Sequence, residues 1–524
     1  MKRSTSIMAL VFILLVCLLS VKNGPMTINA IREGCAKEEG LAGIASTVRD
    51  AYLKSDVYKK NEFIDINGLY ARMTGRGVVN HIARMTNGML GAESVTAVDP
   101  TKQAVAVHAL SQWLSAQEIP FLYVQMPYKC DLQNKMIPIG VTNASNKNAD
   151  MLLQQIEALG ISTLDLRPGL TDTPELVEQY FYVTDHHWNA LGAFMGYQAT
   201  AKKLQDFFPD QEIVSLEALQ LDAWEIHTLE NQFLGSEGRR VGKGYAGLDD
   251  LIWMTPKFET QMSCSVPKSR FWQSGSFSEA LIRDMYLQDV ADVDVGGKQG
   301  THYNLNHYCV YIGGDYPLVQ HRNPMAPVDK KLVILKDSFS LPYQAFLSTI
   351  FTEIDVLDPR YGMSLSVAEY IHLADPDLVI MAFNPGMITE KKAFSYGLET
   401  MEIRDEEILL AEVCLEIGAR NHSYSFTTVE QPLEPGALYH ISVGNIRMNL
   451  GESDGVCFAL YDSATKKVLD SWFYDFACSD EKDWYFRTPE TLSETANVII
   501  YSGIPGACEG VGLTVEDLQI YIMQ

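Results

Sequence analysis

At 524 residues the chain is longer than one hydrophobic core organises, so two or three folded units are expected. Apolar residues make up 47% and charged residues 20%, which excludes a disordered polymer. The formal charge of -25 excludes a Lys/Arg surface that grips nucleic acid through phosphates, and broad adhesion to an anionic membrane.

The chain opens with Lys2 and Arg3, followed by an apolar run from Ile7 to Val21 broken only by Ser20. That order reads as an export signal. A helix of this length spans about 22 Å against a bilayer core of about 30 Å, which favours a signal peptide. Val21, Lys22 and Asn23 do not form an A-x-A-like cleavage site, so residues 1–24 are read as a signal peptide or an N-terminal membrane anchor. Either way, the bulk of the chain lies outside the cytoplasm. Nine cysteines, one of them Cys17 in the apolar run, are scattered without C-x-x-C spacing. They signal no zinc site and are read as isolated thiols.

After an extension over 25–60, a first domain is expected over 61–395. A helical stretch at 101–117 leads into the apolar run IPFLYVQMP, and a second at 148–160 leads into ISTLDL. A further helix follows TDHHW. Helices alternating with continuous apolar strands predict an α/β domain with a parallel sheet covered on both faces.

The rhythm lapses over about 210–329, which is read as a large insertion. It contains the glycine-rich stretch FLGSEGRRVGKGYAG (233–247), with Arg239, Arg240 and Lys243 as a small basic island. This does not match the G-x-x-x-x-G-K-[ST] phosphate loop and reads as a surface loop, or as a lid over an anionic or sugar substrate. The alternation then returns, with strands at 330–336, 353–358 and 377–383 and helices at 341–351 and 366–374. Two right-handed βαβ units follow, and ligands of such sheets bind beyond the carboxyl ends of the strands. A linker is expected at 396–412. Short alternating strands over 413–524 predict an all-β sandwich.

Two stretches carry chemistry. In VILKDSFSLPYQ, Ser338 stands between a buried strand and a helix N-terminus, where a hydroxyl is exposed and a developing negative charge can be stabilised. A helix cap would place a serine there too. A serine nucleophile needs a base, and the base needs a group that fixes its tautomer. TDHHW offers both. In an extended segment Asp185 and His187 share one side, so His187 is the candidate base and Asp185 its partner, while His186 points away. A metal site fits less well, because adjacent histidines on a strand diverge and H-x-x-x-H spacing is absent. No cofactor is expected.

FYVTDHHWNALGA followed far downstream by LVILKDSFS resembles the DHHW proteins and the SGNH-hydrolase-like domains of alginate O-acetylation proteins of the AlgX and AlgJ type. In those the Asp-x-His-Trp block precedes the serine block, an order permuted relative to ordinary SGNH esterases. The resemblance covers roughly residues 60–385. It implies a three-layer, flavodoxin-like α/β fold, with Asp185 and His187 as the Asp-His pair, Ser338 as nucleophile and Asp337 in the place of the Asp of Gly-Asp-Ser. Lys336 replaces that motif's glycine. Arg360 and Asn384, at strand carboxyl ends, are the oxyanion-hole candidates. The sandwich resembles carbohydrate-binding modules, with Trp472, Tyr474, Trp484 and Tyr485 as aromatic candidates for sugar contact. The implied function is acyl, most directly acetyl, transfer to or removal from a cell-surface polysaccharide, with a membrane-bound acyl-donor partner. The rival is a non-catalytic glycan-binding or scaffold protein on the same fold.

Overall fold

A computed structural model describes residues 23–25, 27–35, 40, 43–48, 60–130, 135–267, 271–287, 294–295, 298–299, 303, 305–399, 406–417, 426–429, 431–450, 455–478, 482–502 and 512–524. The apolar run Ile7–Val21, with Cys17, and also Cys508 lie outside the described residues. Among the described residues no helix is long and apolar enough to cross a membrane. Seven cysteines, Cys35, Cys130, Cys264, Cys309, Cys414, Cys457 and Cys478, are free thiols.

The chain divides into two units, Met1–Ile82 with Gly238–Gly247, and Ala83–Glu237 with Leu248–Gln524. The smaller is built on the helix Lys60–Met73, where the Asp65 carboxylate accepts the Lys243 backbone N–H at 2.7 Å. A Cβ on Gly244 would stand 2.8 Å from the Asp65 carbonyl oxygen, so only glycine allows that approach. The first domain, expected from 61, is therefore corrected: residues up to Ile82 group with part of the glycine-rich stretch.

In the larger unit the sequence pattern resolves into α1 (Thr101–Ala116), β1 (Phe121–Gln125), α2 (Ser145–Ala158), β2 (Thr163–Asp165), α3 (Pro174–Tyr180) and α4 (Ala190–Leu204). A hairpin of β3 (Trp224–Phe233) and β4 (Asp249–Pro256) follows, then β5 (Met262–Val266), β6 (Phe271–Gly275) and β7 (Leu318–Arg322). The second alternating stretch gives β8 (Val328–Lys336), α5 (Ser340–Leu347), β9 (Phe351–Leu357), α6 (Val367–Ala374) and β10 (Leu378–Phe383).

Eight of these strands form one sheet in the order β6-β5-β7-β9-β8-β10-β1-β2. The five from β9 to β2 are parallel. Counted from β8 onward and then back to β1 and β2, they stand in the order 2-1-3-4-5 of a flavodoxin-like sheet. The order of the two halves along the chain is thus permuted around an unchanged sheet. Strands such as Leu378–Phe383 are apolar at every position because helices cover both faces. On one face Val107, Leu110, Leu152, Ile156 and Ile371 pack against Val333, Leu335, Val379 and Met381. On the other, aromatic rings of α4 and α5 meet, with Phe194 and Phe346 edge to face at 5.7 Å.

The predicted insertion needs correction. β5, β6 and β7 complete the edge of the same sheet, with β7 antiparallel to β9 (Leu318 opposite Leu357). The α/β rhythm lapses there because antiparallel strands need no crossover helix.

The carboxyl-terminal part is a sandwich of two four-stranded antiparallel sheets. One orders Glu407–Ile417, Gly512–Met523, Leu438–Leu450 and Asp483–Arg487; the other orders Phe426–Val429, Ala496–Ser502, Gly455–Asp462 and Lys467–Asp475. The first strand starts at Glu407, inside the segment 396–412 expected to be a linker. Its residues Ile408 to Leu410 are exposed, so its apolar pattern is masked as strand signal. Trp472 and Trp484 belong to the sandwich core, whereas Tyr474 and Tyr485 are half-buried.

Candidate active site

Ser338 follows β8 by two residues and precedes α5, so it stands at the carboxyl edge of the sheet beside the switch point between β8 and β10. The turn is clamped across that point by Asp337. Its Oδ1 accepts the Phe339 N–H at 2.9 Å, and its Oδ2 accepts both the backbone N–H (2.6 Å) and the side-chain amide (2.8 Å) of Asn384, which follows β10. Two adjacent strand ends are thereby tied together below the serine hydroxyl.

The TDHHW segment lies between α3 and α4, and α4 packs against α5, the helix that follows Ser338. His187 Nε2 lies 2.7 Å from Ser338 Oγ, and His187 Nδ1 lies 2.5 Å from Asp185 Oδ1. The second Asp185 oxygen accepts the Ser236 N–H at 2.6 Å. Burial alone would push the Asp185 carboxyl up, but the imidazoles of His187 and His186 and these hydrogen bonds hold it well below the usual carboxylate range. Asp185 is therefore an anion beside His187, which favours the tautomer with Nδ1 protonated and Nε2 facing the serine.

The extended-strand picture of this segment is corrected. Residues 183–187 bend, because Asp185 Oδ1 also accepts the backbone N–H of His187 two residues on at 3.0 Å. His186 consequently does not point away: its ring lies 3.8 Å from that of His187, and its Nδ1 pairs with Ser236 Oγ at 2.8 Å. The potential metal-ligand atoms of Asp185, His186 and His187 lie within 4.8 Å of one another. Both carboxylate oxygens, both nitrogens of His187 and Nδ1 of His186 are engaged in the hydrogen bonds just described.

Trp188 completes the block. Fully buried, it donates its indole N–H to the Phe339 carbonyl at 2.9 Å, next to the serine, and Tyr308 donates its hydroxyl to the same oxygen at 3.1 Å. The Tyr308 ring stacks on His187 at 3.8 Å and 10°. The histidine block and the serine turn thus hold each other as well as meeting at the reacting atoms.

Residues 90–228 match the family model of the SGNH hydrolase-like domain of the acetyltransferase AlgX. That stretch holds the Asp-His-His-Trp block; the serine turn lies beyond it. Among solved structures, the chain is similar to Bacillus cereus PatB1 at 20% identity and a TM-score of 0.46, over 59% of this chain and 97% of that one. A DHHW family protein from Eubacterium siraeum is 17% identical with a TM-score of 0.45, over 60% and 94%. The O-acetyltransferase domain of Pseudomonas putida AlgJ is 11% identical with a TM-score of 0.36, over 61% and 95%. Among curated proteins, none matches the chain.

At the carboxyl edge of the sheet, Arg360 makes a two-pronged pair with Asp358, Nε to Oδ1 at 2.8 Å and Nη2 to Oδ2 at 2.6 Å, and reaches Asp315 at 3.3 Å. Its Nη1 has no acceptor among the described residues, and no described contact joins it to Ser338 or His187. Asn384 spends one amide hydrogen on Asp337; an amide carries two. Lys336, where the resembled motif has glycine, is fully buried, with Nζ paired to Asp315 and 3.3 Å from Asp358. The strand end tolerates it because this aspartate pair receives its charge.

The residues that carry the histidine loop were not singled out from the sequence. Asp249, opening β4, accepts the N–H groups of Val183 (2.7 Å) and Thr184 (2.8 Å) and the Thr184 hydroxyl (2.5 Å). Lys129, fully buried, donates to the carbonyls of Tyr182, Val183 and Asp185 and pairs with Glu237 at 2.9 Å. Gly235 and Ser236, the start of the glycine-rich stretch, press against Asp185 itself. A lysine just past a buried strand, in QMPYKC, was the available signal.

A Cβ on Gly235 would lie 2.3 Å from the Asp185 Cβ. Gly235→Ala is therefore expected to displace Asp185 and lower ester turnover about a hundredfold, the scale of a misplacement near 1 Å. Steady-state kinetics with a thermal scan check this; unchanged kcat would show that the loop does not position Asp185.

Proposed function

We propose that the chain is a serine-dependent acyl, most directly acetyl, transferase or esterase acting on a cell-surface or exported polysaccharide. The observation that carries this reading is the run of contacts Ser338 Oγ, His187, Asp185 at 2.7 and 2.5 Å, on a domain whose family model is named for an acetyltransferase. Ser338 Oγ attacks the acyl carbonyl carbon as its proton passes to His187 Nε2. The bond to the donor oxygen then breaks, the departing alcohol takes that proton, and the acyl group stays on Ser338. An acceptor hydroxyl next loses its proton to His187 and takes the acyl group, freeing Ser338. A sugar hydroxyl as acceptor makes the reaction a transfer; water makes it hydrolysis.

Asp185 keeps His187 oriented and compensates the imidazolium that forms. The oxyanion is assigned to Arg360 Nη1, the second amide hydrogen of Asn384 and the backbone N–H of Ser338. The location is proposed as extracytoplasmic, secreted or anchored, from Lys2, Arg3 and the apolar run after them. A membrane-bound donor of acyl groups is the proposed partner, since activated acyl groups arise inside the cell.

The test is acyl-enzyme trapping. Brief incubation with a chromogenic acetyl ester, acid quench and peptide mass analysis should place one acetyl group on the peptide carrying Ser338. Turnover without that adduct in the quenched wild type, or the adduct on another residue, defeats the assignment.

A further inference from the structure

The net charge of -25 is unevenly spread. In residues 60–82 and 238–247 of the smaller unit, six cations, Lys60, Arg72, Arg76, Arg239, Arg240 and Lys243, stand against two carboxylates, Glu62 and Asp65. This unit takes in the whole basic island of the glycine-rich stretch, which the serine site does not use. The acidity of the chain resides in the other unit.

The helix Lys60–Met73 of this unit is reversed relative to a helix in water. Its buried residues are Gly68 and Ala71, and a Cβ on Gly68 would collide with the Val241 carbonyl oxygen. The large apolar residues Phe63, Ile66, Leu69, Tyr70 and Met73, spaced i, i+3, i+6, i+7 and i+10, share the opposite face and are 40–79% exposed. A soluble helix buries such a stripe, and a contiguous apolar patch left outside marks an interaction surface. Lys60 and Arg72 fall on the two flanks of the stripe, and Arg76, just past the helix, stands over the Tyr70 ring at 5.8 Å. Glu62, in the first turn, is the one carboxylate on the side of the stripe.

We propose that this face docks on an anionic lipid bilayer, with the helix lying along the interface, its apolar stripe at the acyl boundary and the cations among the headgroups. Long cationic side chains beside a stripe reach the headgroups while their stems keep apolar contact. Anionic lipids attract such a cluster although the chain as a whole is acidic, because screening confines the attraction to about 8–10 Å. Carboxylates beyond that range are not felt. A second copy of the chain would set six cations against six, and a neutral apolar groove would leave them unmatched. The inference is independent of the serine chemistry and of whether residues 1–24 are cleaved.

The test is the fluorescence of the full chain carrying Ile66→Trp on vesicles of phosphatidylcholine, with and without phosphatidylglycerol, prepared with plain or brominated acyl chains. The native tryptophans, Trp113 to Trp484, all lie in the other unit, so the wild type supplies the background. Ile66 is exposed, so the substitution should leave thermal unfolding unchanged. With phosphatidylglycerol present, the added emission should shift to the blue and fall at least twofold on brominated chains. Lys60→Glu together with Arg72→Glu should raise the lipid concentration for half-maximal quenching at least tenfold, and high salt should act in the same direction. No added quenching, a chain that fails to bind these vesicles, or equal quenching without phosphatidylglycerol overturns the inference. Emission already shifted to the blue before lipid is added, with a dimer mass in sedimentation, would put a second copy on this face and overturn it as well.

Discussion

Ser338→Ala and His187→Ala are each expected to lower turnover of a chromogenic acetyl ester by about ten-thousand-fold or more. In the proposed reaction the Ser338 oxygen forms the acyl bond, and His187 Nε2, at 2.7 Å, takes its proton. Removing either stops the same step, so the double variant should lose little more than each single one. Ser338 is partly exposed, so its hydroxyl adds little to stability, and Ser338→Ala should unfold within about 0.5 kcal/mol of the wild type. Turnover retained in full by folded Ser338→Ala would mean that another group carries the reaction and would defeat the assignment of Ser338.

Lys336→Met should cost about 3–5 kcal/mol of stability, because it strips the charge from a buried cluster. Lys336 is fully buried, as is the side chain of Asp358; Asp315 is 20% exposed, and only Arg360 would remain to face both carboxylates. Burial lowers the tendency of Lys336 to hold its proton, but Asp315 and Asp358 overcome this and raise its pKa. Burial pushes the Asp315 carboxyl up, and Lys336 and Arg360 bring it below its ordinary value.

The signs of these shifts fix the pH window. A raised lysine contributes stability that is complete below its unfolded value near 10.4 and is lost as pH rises through the folded value. A depressed aspartate contributes stability present above its unfolded value near 3.9 and lost as pH falls through the folded value. The difference between wild type and Lys336→Met should therefore be flat from about pH 5 to about pH 10 and shrink in acid. Urea unfolding across that range measures it; a difference under about 1 kcal/mol at neutral pH would mean that the cluster relaxes into water.

Much of this protein is legible in its sequence because the signals are local. Continuous apolar runs such as LVIMAF, bounded by helical periodicity, suffice to predict a doubly covered parallel sheet, and strand alternation suffices for the sandwich. The order of the Asp-His-His-Trp and Asp-Ser-Phe blocks suffices for a resemblance. Spacing along the chain cannot show what bends it. The carboxylate of Asp185 turns its own segment, so His186 ends on the ring of His187, where strand alternation would send it to the opposite side.

Nor can spacing show what is brought from afar. Lys129, Gly235, Asp249 and Tyr308 have no local pattern that marks them, and each meets the histidine block only through the tertiary fold. The antiparallel edge strands of the predicted insertion joined the sheet for the same reason, since a partner strand is chosen by free hydrogen-bonding edges and not by nearness in sequence. The sequence by itself determined which residues are proposed to carry chemistry, because nucleophile, base and acid are residue types. Only the tertiary structure decided their distances and partners, because these depend on burial and on contacts between segments about 150 residues apart.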